Sequence, residues 1–414
     1  RCMFANRRNQ LAKAEADWKK LAKQHGFSSG ALPKLQVINP GMGKGGNSTK
    51  ASSLGIGGLK GFWLIEYLKF AGFYRAALPR TVSGVKDRKT YVVVPKRLSL
   101  RQHTNTFQAF QTSFYAASAI KMDIFAALRY CQTFVEQWRD GQARESKRRR
   151  HSGKPSDHVA AIETIFYKHL GSAHATLNLS TIALPDWTKQ ITTTAEATQL
   201  LGIIEEHQWI LYPLKENQGD AYKLLQLYRR FLSGRDLSAF FHFCRLYGSF
   251  VMSEYVKKNR PKLMTLTNLE ILMSHHPKSK KLTPIISNQG FLRIAAAIRA
   301  STITPQYFKS IGNSGPYEIR YGLGQDLMRN ASYPDKFIAA LSKFSQAYMQ
   351  ENGRINERFK GKPPISRTQI RTEDLHEIIT LIDTYDSETV ASLLVAFGYA
   401  NKPSDKKKTQ EKTA

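Results

Sequence analysis

Between residues 105 and 139 the apolar side chains keep to one 3-4 spacing. Phe107, Phe110, Phe114, Ala117, Ile124, Leu128, Cys131, Val135 and Trp138 fall on a single stripe, with Lys121 as the one polar interruption. At 3.6 residues per turn such a stripe lies along one side of an α-helix, and it must be covered by another element. That commits the chain to helix-on-helix packing, so the expected fold class is mainly α with a smaller α+β portion. The stripe reads as a core-facing surface and not as a cofactor box.

Other segments repeat the pattern. RRNQLAKAEADWKKLAKQHGF near the start reads as a basic amphipathic helix, with Leu11, Ala14, Trp18 and Leu21 at helical spacing and a stop at Gly26 and Ser28–Gly30. Phe337, Leu341, Phe344 and Tyr348 share one face of a helix around 335–350. A last pair of helices is expected after Thr372 and Ser387, read as N-caps, with Glu373, Asp374 and Glu388 placed to suit the helix dipole. Residues 31–103 break the helical pattern with eight glycines between Gly41 and Gly61. Within them ALPRTV (77–82) and YVVVP (91–95) read as a β-hairpin whose connection, SGVKDRKT, is basic.

These shifts divide the chain into a basic, Gly-rich mixed region over 1–103, a helical middle domain over 104–252, a C-terminal helical bundle over 253–401 and a disordered basic tail over 402–414. No secretory leader and no membrane span is legible. Three cysteines without close pairing, Cys2, Cys131 and Cys244, fit a reducing compartment and exclude a disulfide framework.

Charge narrows function. Sixty-two Lys and Arg against 32 Asp and Glu leave a net charge of +30 over 414 residues. So large a surplus repels itself in a compact state and attracts polyanions, which points to nucleic acid. The cations are also clustered. Thirteen Lys and Arg stand against two acids between Lys34 and Arg101, and ten against one between 256 and 309. Residues 372–401 contain no Lys or Arg, so their acidic face is expected to turn away from nucleic acid and toward a protein neighbour.

Candidate contacts follow from charge and loop character. The loop NPGMGKGGNSTKASSLGIGGLKG offers Asn39, Lys44, Asn47, Lys50 and Lys60 to a phosphate backbone. It is not a nucleotide-binding P-loop, because Lys44 is followed by Gly45 where that motif needs Ser or Thr. The hairpin and its flank offer Lys86, Arg88, Lys89, Lys96, Arg97 and Arg101, with Tyr91 and Phe107 as candidate stacking rings. The run Lys147, Arg148, Arg149 and Arg150 forms a basic loop, and Lys278, Lys280, Lys281, Arg293 and Arg299 form a further group. No metal centre is expected. His275 and His276 have no nearby carboxylate, and His242 with Cys244 is expected to pack in a core. No paired-carboxylate, nucleophile–base or metalloprotease motif is present, so no catalytic residue and no cofactor is assigned.

Three stretches taken together resemble a known family. They are SLGIGGLKGFWLIEYLKFAGFYRAALPRTV followed by KTYVVVPKRLSL; FLRIAAAIRASTITPQYF leading into YEIRYGLGQDLMRNA; and FIAALSKFSQAYMQENGRINERF with the later SETVASLLVAFGYA. Their order resembles the large subunit of type I CRISPR interference (Cascade) complexes, in the divergent subtype I-B-like branch of cyanobacteria and myxobacteria, over roughly residues 54–400. The resemblance implies a non-enzymatic, cytoplasmic prokaryotic subunit of an antiviral ribonucleoprotein complex. Such a subunit sits near the 5′ handle of the guide RNA, reads the short motif flanking the target duplex, helps form the R-loop and steers the displaced strand. Its implied partners are the backbone, handle-binding and small subunits, and either a helicase-nuclease or transposition proteins. Under that resemblance Asn39, Lys44, Asn47 and Lys50 are candidates for minor-groove or handle contacts, and Lys278, Lys280, Lys281, Arg293 and Arg299 for the displaced strand. The alternatives are a stand-alone basic DNA- or RNA-binding scaffold or regulator, and a nucleic-acid-processing enzyme with a spatially assembled site.

Overall fold

The computed structural model describes residues 8–26, 63–144, 152–171, 174–188, 190–276, 282–365 and 367–401. The fold is mainly α-helical with one small antiparallel sheet. The chain divides into two compact units.

The first unit takes in residues 1–95, 99–111 and 161–182. It holds helices α1 (Arg8–Gln24), α2 (Trp63–Phe73) and α3 (Leu100–Ser113), with strands β1 (Ala77–Thr81), β2 (Arg88–Pro95), β3 (Val159–His169) and β4 (His174–Ile182). The expected hairpin is present. β1 and β2 pair antiparallel, with Leu78 opposite Tyr91 and Arg80 opposite Lys89. The turn closes through Val82 N–H donating to Asp87 C=O, 2.9 Å, with Gly84 at φ 81°, a left-handed position that glycine occupies without strain. Strands β3 and β4, which the helical reading of 104–252 did not anticipate, extend the sheet in the order β1-β2-β3-β4. The Asp87 carboxylate stitches the turn to β3, accepting from His169 N–H and Lys168 Nζ, both at 2.9 Å. Helix α1 ends at Gly26 with φ 70°, as read from sequence, but it buries Ala22 and leaves Leu21 exposed.

The second unit contains α4 (Ala119–Arg144), α5 (Pro155–His158), α6 (Thr194–Leu211), α7 (Gly219–Phe231), α8 (Leu237–Val256) and α9 (Leu266–His275). It continues with α10 (Thr283–Ile286), α11 (Gln289–Ser301), α12 (Ile303–Ser310), α13 (Leu323–Arg329), α14 (Pro334–Arg358), α15 (Thr372–Tyr385) and α16 (Ser387–Gly398). The stripe over 105–139 is not one helix. It is cut at 114–118 into α3 and α4. Glu216, 96 residues downstream, accepts from the Ile120 backbone N–H at 3.1 Å and so supplies α4 with a cap from outside its own sequence. Local caps start the others. Thr193 and Glu196 form a capping box on α6, Asp236 caps α8, Thr265 caps α9 and Asn288 caps α11.

Helix α7 packs on α8, α4 on α6, and α11 on α15 and α16. The last helix is the hub, since every residue from Val390 to Ala400 is buried. Its cap is Asp386, one residue before the expected Ser387; ahead of α15 the N-cap position falls on Arg371 instead of Thr372, and the Arg371 backbone N–H donates to the Asp374 carboxylate. Helix α14 buries Phe337, Leu341, Phe344 and Tyr348 as their spacing predicts. An aromatic cluster fills the space beneath α7 and α8, with Trp187 stacked on Phe231 at 5.4 Å between centroids and its indole N–H donating to Leu232 C=O. Among the described residues, no helix is long and apolar enough to cross a membrane.

Candidate nucleic-acid interface

The sheet of the first unit splits the hairpin cations into two groups. Lys86 lies exposed in the turn and Arg88 is half-buried at the start of β2. Lys89 is only 8% exposed and lies over the Phe166 ring at 5.6 Å from its centroid, a cation–π contact. It serves the sheet, which corrects its reading as a phosphate contact. The proposed stacking rings are withdrawn as well, because Tyr91 is 0% and Phe107 1% exposed. Arg101 is exposed on α3 of the same unit, and Lys96 and Arg97 are exposed in the second unit.

Two further candidates make side-chain contacts within the helical unit. Arg293 pairs with the buried Asp374 carboxylate at 2.6 Å. Arg299 donates to the carbonyls of Phe397 and Ala400, at 2.6 and 2.5 Å, satisfying the last turn of α16. Burial pushes the Arg299 guanidinium down to about 10. The Arg299 guanidinium is committed to these carbonyls, whereas Arg293 keeps part of its surface exposed beside Asp374. Asn39, Lys44, Asn47, Lys50 and Lys60, the run Lys147, Arg148, Arg149 and Arg150, and Lys278, Lys280 and Lys281 lie outside the described residues.

A basic cleft of about 840 Å³ that the sequence reading missed lies in the second unit. One wall is the C-terminal end of α6 and the turn after it, carrying Trp209, Tyr212 and Lys215. The other is the end of α8 and the segment 257–263, with Phe250, Lys257, Arg260 and Lys262. The backbone reverses at Lys258, whose φ of 63° is uncommon for a side chain with a Cβ. It is held there by Lys258 N–H donating to Tyr255 C=O at 3.0 Å and Asn259 N–H to Glu254 C=O at 2.9 Å.

The returning segment is tied down along its length. The Tyr247 hydroxyl donates to Lys262 C=O at 2.5 Å, and Thr265 N–H donates to the buried Glu206 carboxylate at 3.0 Å. Asn401 bridges to the same segment, donating to Met264 C=O and accepting from Leu266 N–H. Burial raises Glu206 above the usual carboxylate range, and the Thr265 hydrogen bonds only partly oppose it.

The cleft is cationic and its aromatic rings are open. The one acid among the described residues that line it, Glu254, is occupied by Lys257 Nζ at 2.7 Å and Asn259 Nδ2 at 2.6 Å. Burial acts to raise Glu254, but these hydrogen bonds, with the charges of Lys257 and Lys215, carry it below its ordinary value. Lys215, Arg260 and Lys262 are exposed and make no side-chain hydrogen bond or ion pair with the described residues. Trp209 is 59% and Tyr212 70% exposed. The Lys121 ammonium, the polar interruption of the sequence stripe, donates to Tyr212 C=O and lies 5.7 Å from the centre of its ring. The arrangement offers phosphate-binding charge beside faces that an aromatic ligand can cover.

The remaining candidates sort simply. His276 is buried and bonds Gly234 C=O at 2.7 Å, while Cys244 is buried with its Sγ 3.7 Å from Met264 Sδ. Burial raises both the Cys131 and Cys244 thiols, which keeps them protonated and inert. Among the described residues no three His, Cys, Asp or Glu side chains gather in a group able to hold a metal ion. No protein-family model, no curated protein and no solved structure matches this chain.

Proposed function

We propose that this protein is a non-catalytic, nucleic-acid-binding subunit of an RNA-guided complex, akin in role to the large subunit of type I CRISPR interference complexes. The observation that carries the reading is the surplus of 30 positive charges, concentrated in part on a cleft where three exposed cations make no side-chain hydrogen bond or ion pair with the described residues and two aromatic rings stand open. A polyphosphate ligand relieves the repulsion among such charges, and counterion release supplies affinity. Sequence would be read by guide pairing, leaving the protein to supply backbone charge and short-motif contacts. The implied ligands are guide RNA, target duplex and displaced strand, in a prokaryotic cytoplasm. Exposed acids of residues 372–401, Glu373, Asp383, Asp386 and Glu388, suit contact with a protein partner, either another subunit or a helicase-nuclease or transposition protein.

The test is assembly. Co-expressed with a guide RNA and candidate backbone subunits, the chain is expected to co-purify as one particle whose target binding depends on the guide. Its affinity should fall steeply with salt, and Lys86→Ala should reduce the log–log slope by about 1. Tight sequence-selective duplex binding without a guide would favour the stand-alone scaffold instead. Turnover of labelled nucleic acid abolished by one carboxylate substitution would favour an enzyme.

A further inference from the structure

We infer that the cleft between the end of α6 and the 257–263 segment binds unpaired nucleotides, stacking bases on Trp209 and Tyr212 while Lys215, Arg260 and Lys262 hold the phosphates. This deepens the nucleic-acid reading above and rests on it.

The argument begins with the rings. Trp209 and Tyr212 stand three residues apart at the end of one helix, so both side chains lie on one face, with Cβ atoms about 5–6 Å apart. An indole and a phenol left in water forgo the burial that aromatic side chains usually gain, while neighbouring aromatics such as Trp187 and Phe240 are buried in the same unit. Covering the open pair therefore releases free energy that this fold does not itself recover.

The charges fix what covers them. Glu254, the only carboxylate among the described residues lining the cleft, is already taken by Lys257 and Asn259, so the surplus of Lys215, Arg260 and Lys262 is presented to a ligand. An anion that also carries flat aromatic faces satisfies both features. A paired duplex hides its base faces and offers phosphates alone, whereas an unpaired strand offers both. The volume, about 840 Å³, falls within the range of pockets that enclose small ligands, about 300–1,000 Å³. The hydrogen bonds from Tyr247, Thr265 and Asn401 hold the basic segment in place before any ligand arrives, which limits the ordering cost of binding.

The experiment measures anisotropy of a short fluorescein-labelled oligothymidylate, and of a duplex of equal length, titrated with the full chain. Wild type is expected to prefer the single strand. Trp209→Ala and Tyr212→Ala should each weaken the single strand about 5- to 100-fold and leave the duplex almost unchanged. Trp209→Phe should retain most of the affinity, because a flat face remains. Lys262→Ala should lower the salt slope by about 1 on the single strand. Both rings are exposed, so circular dichroism melts of the alanine variants should overlay wild type. If wild type binds both oligonucleotides and neither ring substitution distinguishes them, the stacking inference is overturned while the nucleic-acid reading stands. If wild type binds neither, both fall.

Discussion

Arg299 shows how a cation that looks available in sequence is spent inside a fold. Its guanidinium closes the last turn of α16 by reaching two carbonyls about one hundred residues away. Arg293 meets Asp374 over a separation of 81 residues. Arg299→Met should therefore leave the Ala400 carbonyl without its donor and the Phe397 carbonyl with backbone donors alone, destabilising the fold by about 1–3 kcal/mol, read as a lower denaturant midpoint. Oligonucleotide affinity of the folded fraction should not change. A variant that melted like wild type but lost salt dependence would return Arg299 to the binding surface. Charge counts are legible in sequence because they are sums, whereas the partner of each charge is set by chain-distant packing. For that reason the surplus was readable and its assignment to Lys89, Arg293 and Arg299 was not. Trp209 and Tyr212 carried no sequence signal either, since an aromatic at helical spacing is normally read as core.

At the level of elements, the hairpin was legible because β-branched residues cluster on both sides of a Gly-containing basic turn, a local signal. Strand β4, HATLNLSTI, is rich in Thr, Asn and His, half of it is exposed, and it gains strand character from pairing with β3. The cut between α3 and α4 was invisible for a different reason. Phe114 keeps the periodicity across the break, and the carboxylate that caps α4 arrives from Glu216. Glycines hide a comparable long-range constraint. A Cβ at Gly248 on α8 would stand 2.5 Å from the Tyr399 ring, and one at Gly324 on α13 would stand 2.6 Å from its other edge. The two glycines together form the slot for that ring, whose hydroxyl accepts from Gly324 N–H. Gly248→Ala is expected to cost about 1–3 kcal/mol by overpacking, despite the higher helix propensity of alanine. A thermal melt at or above wild type would show that α8 and α16 can separate without penalty.

For the whole molecule, acidity is the clearest lever on stability. His207 is buried among Trp187, Tyr228 and Phe240, with Nδ1 2.8 Å from the Tyr228 hydroxyl. Burial holds its imidazolium down at about 3, against an ordinary value near 6.5. The unfolded chain takes up a proton between these values and the folded chain does not, so this contribution is complete above about pH 6.5 and is lost as pH falls toward 3. Glu206, raised by burial, acts in the opposite direction, losing its contribution as pH rises. A comparison of wild type with His207→Gln separates the two. The gap in melting temperature should be widest above pH 7 and narrow steadily between about pH 6.5 and 4. A gap independent of pH would mean that His207 is solvated.

The bridge from Asn401 to Met264 and Leu266 has a temporal consequence during synthesis. The basic wall of the cleft is translated well over a hundred residues before the strand segment that fastens it, and α16 must emerge before that fastening forms. A ribosome-bound nascent chain would hold its lysines and arginines on a segment that still lacks its Asn401 fastening, next to the most abundant RNA in the cell. The finished grip becomes available only once the segment carrying Asn401 has cleared the exit tunnel.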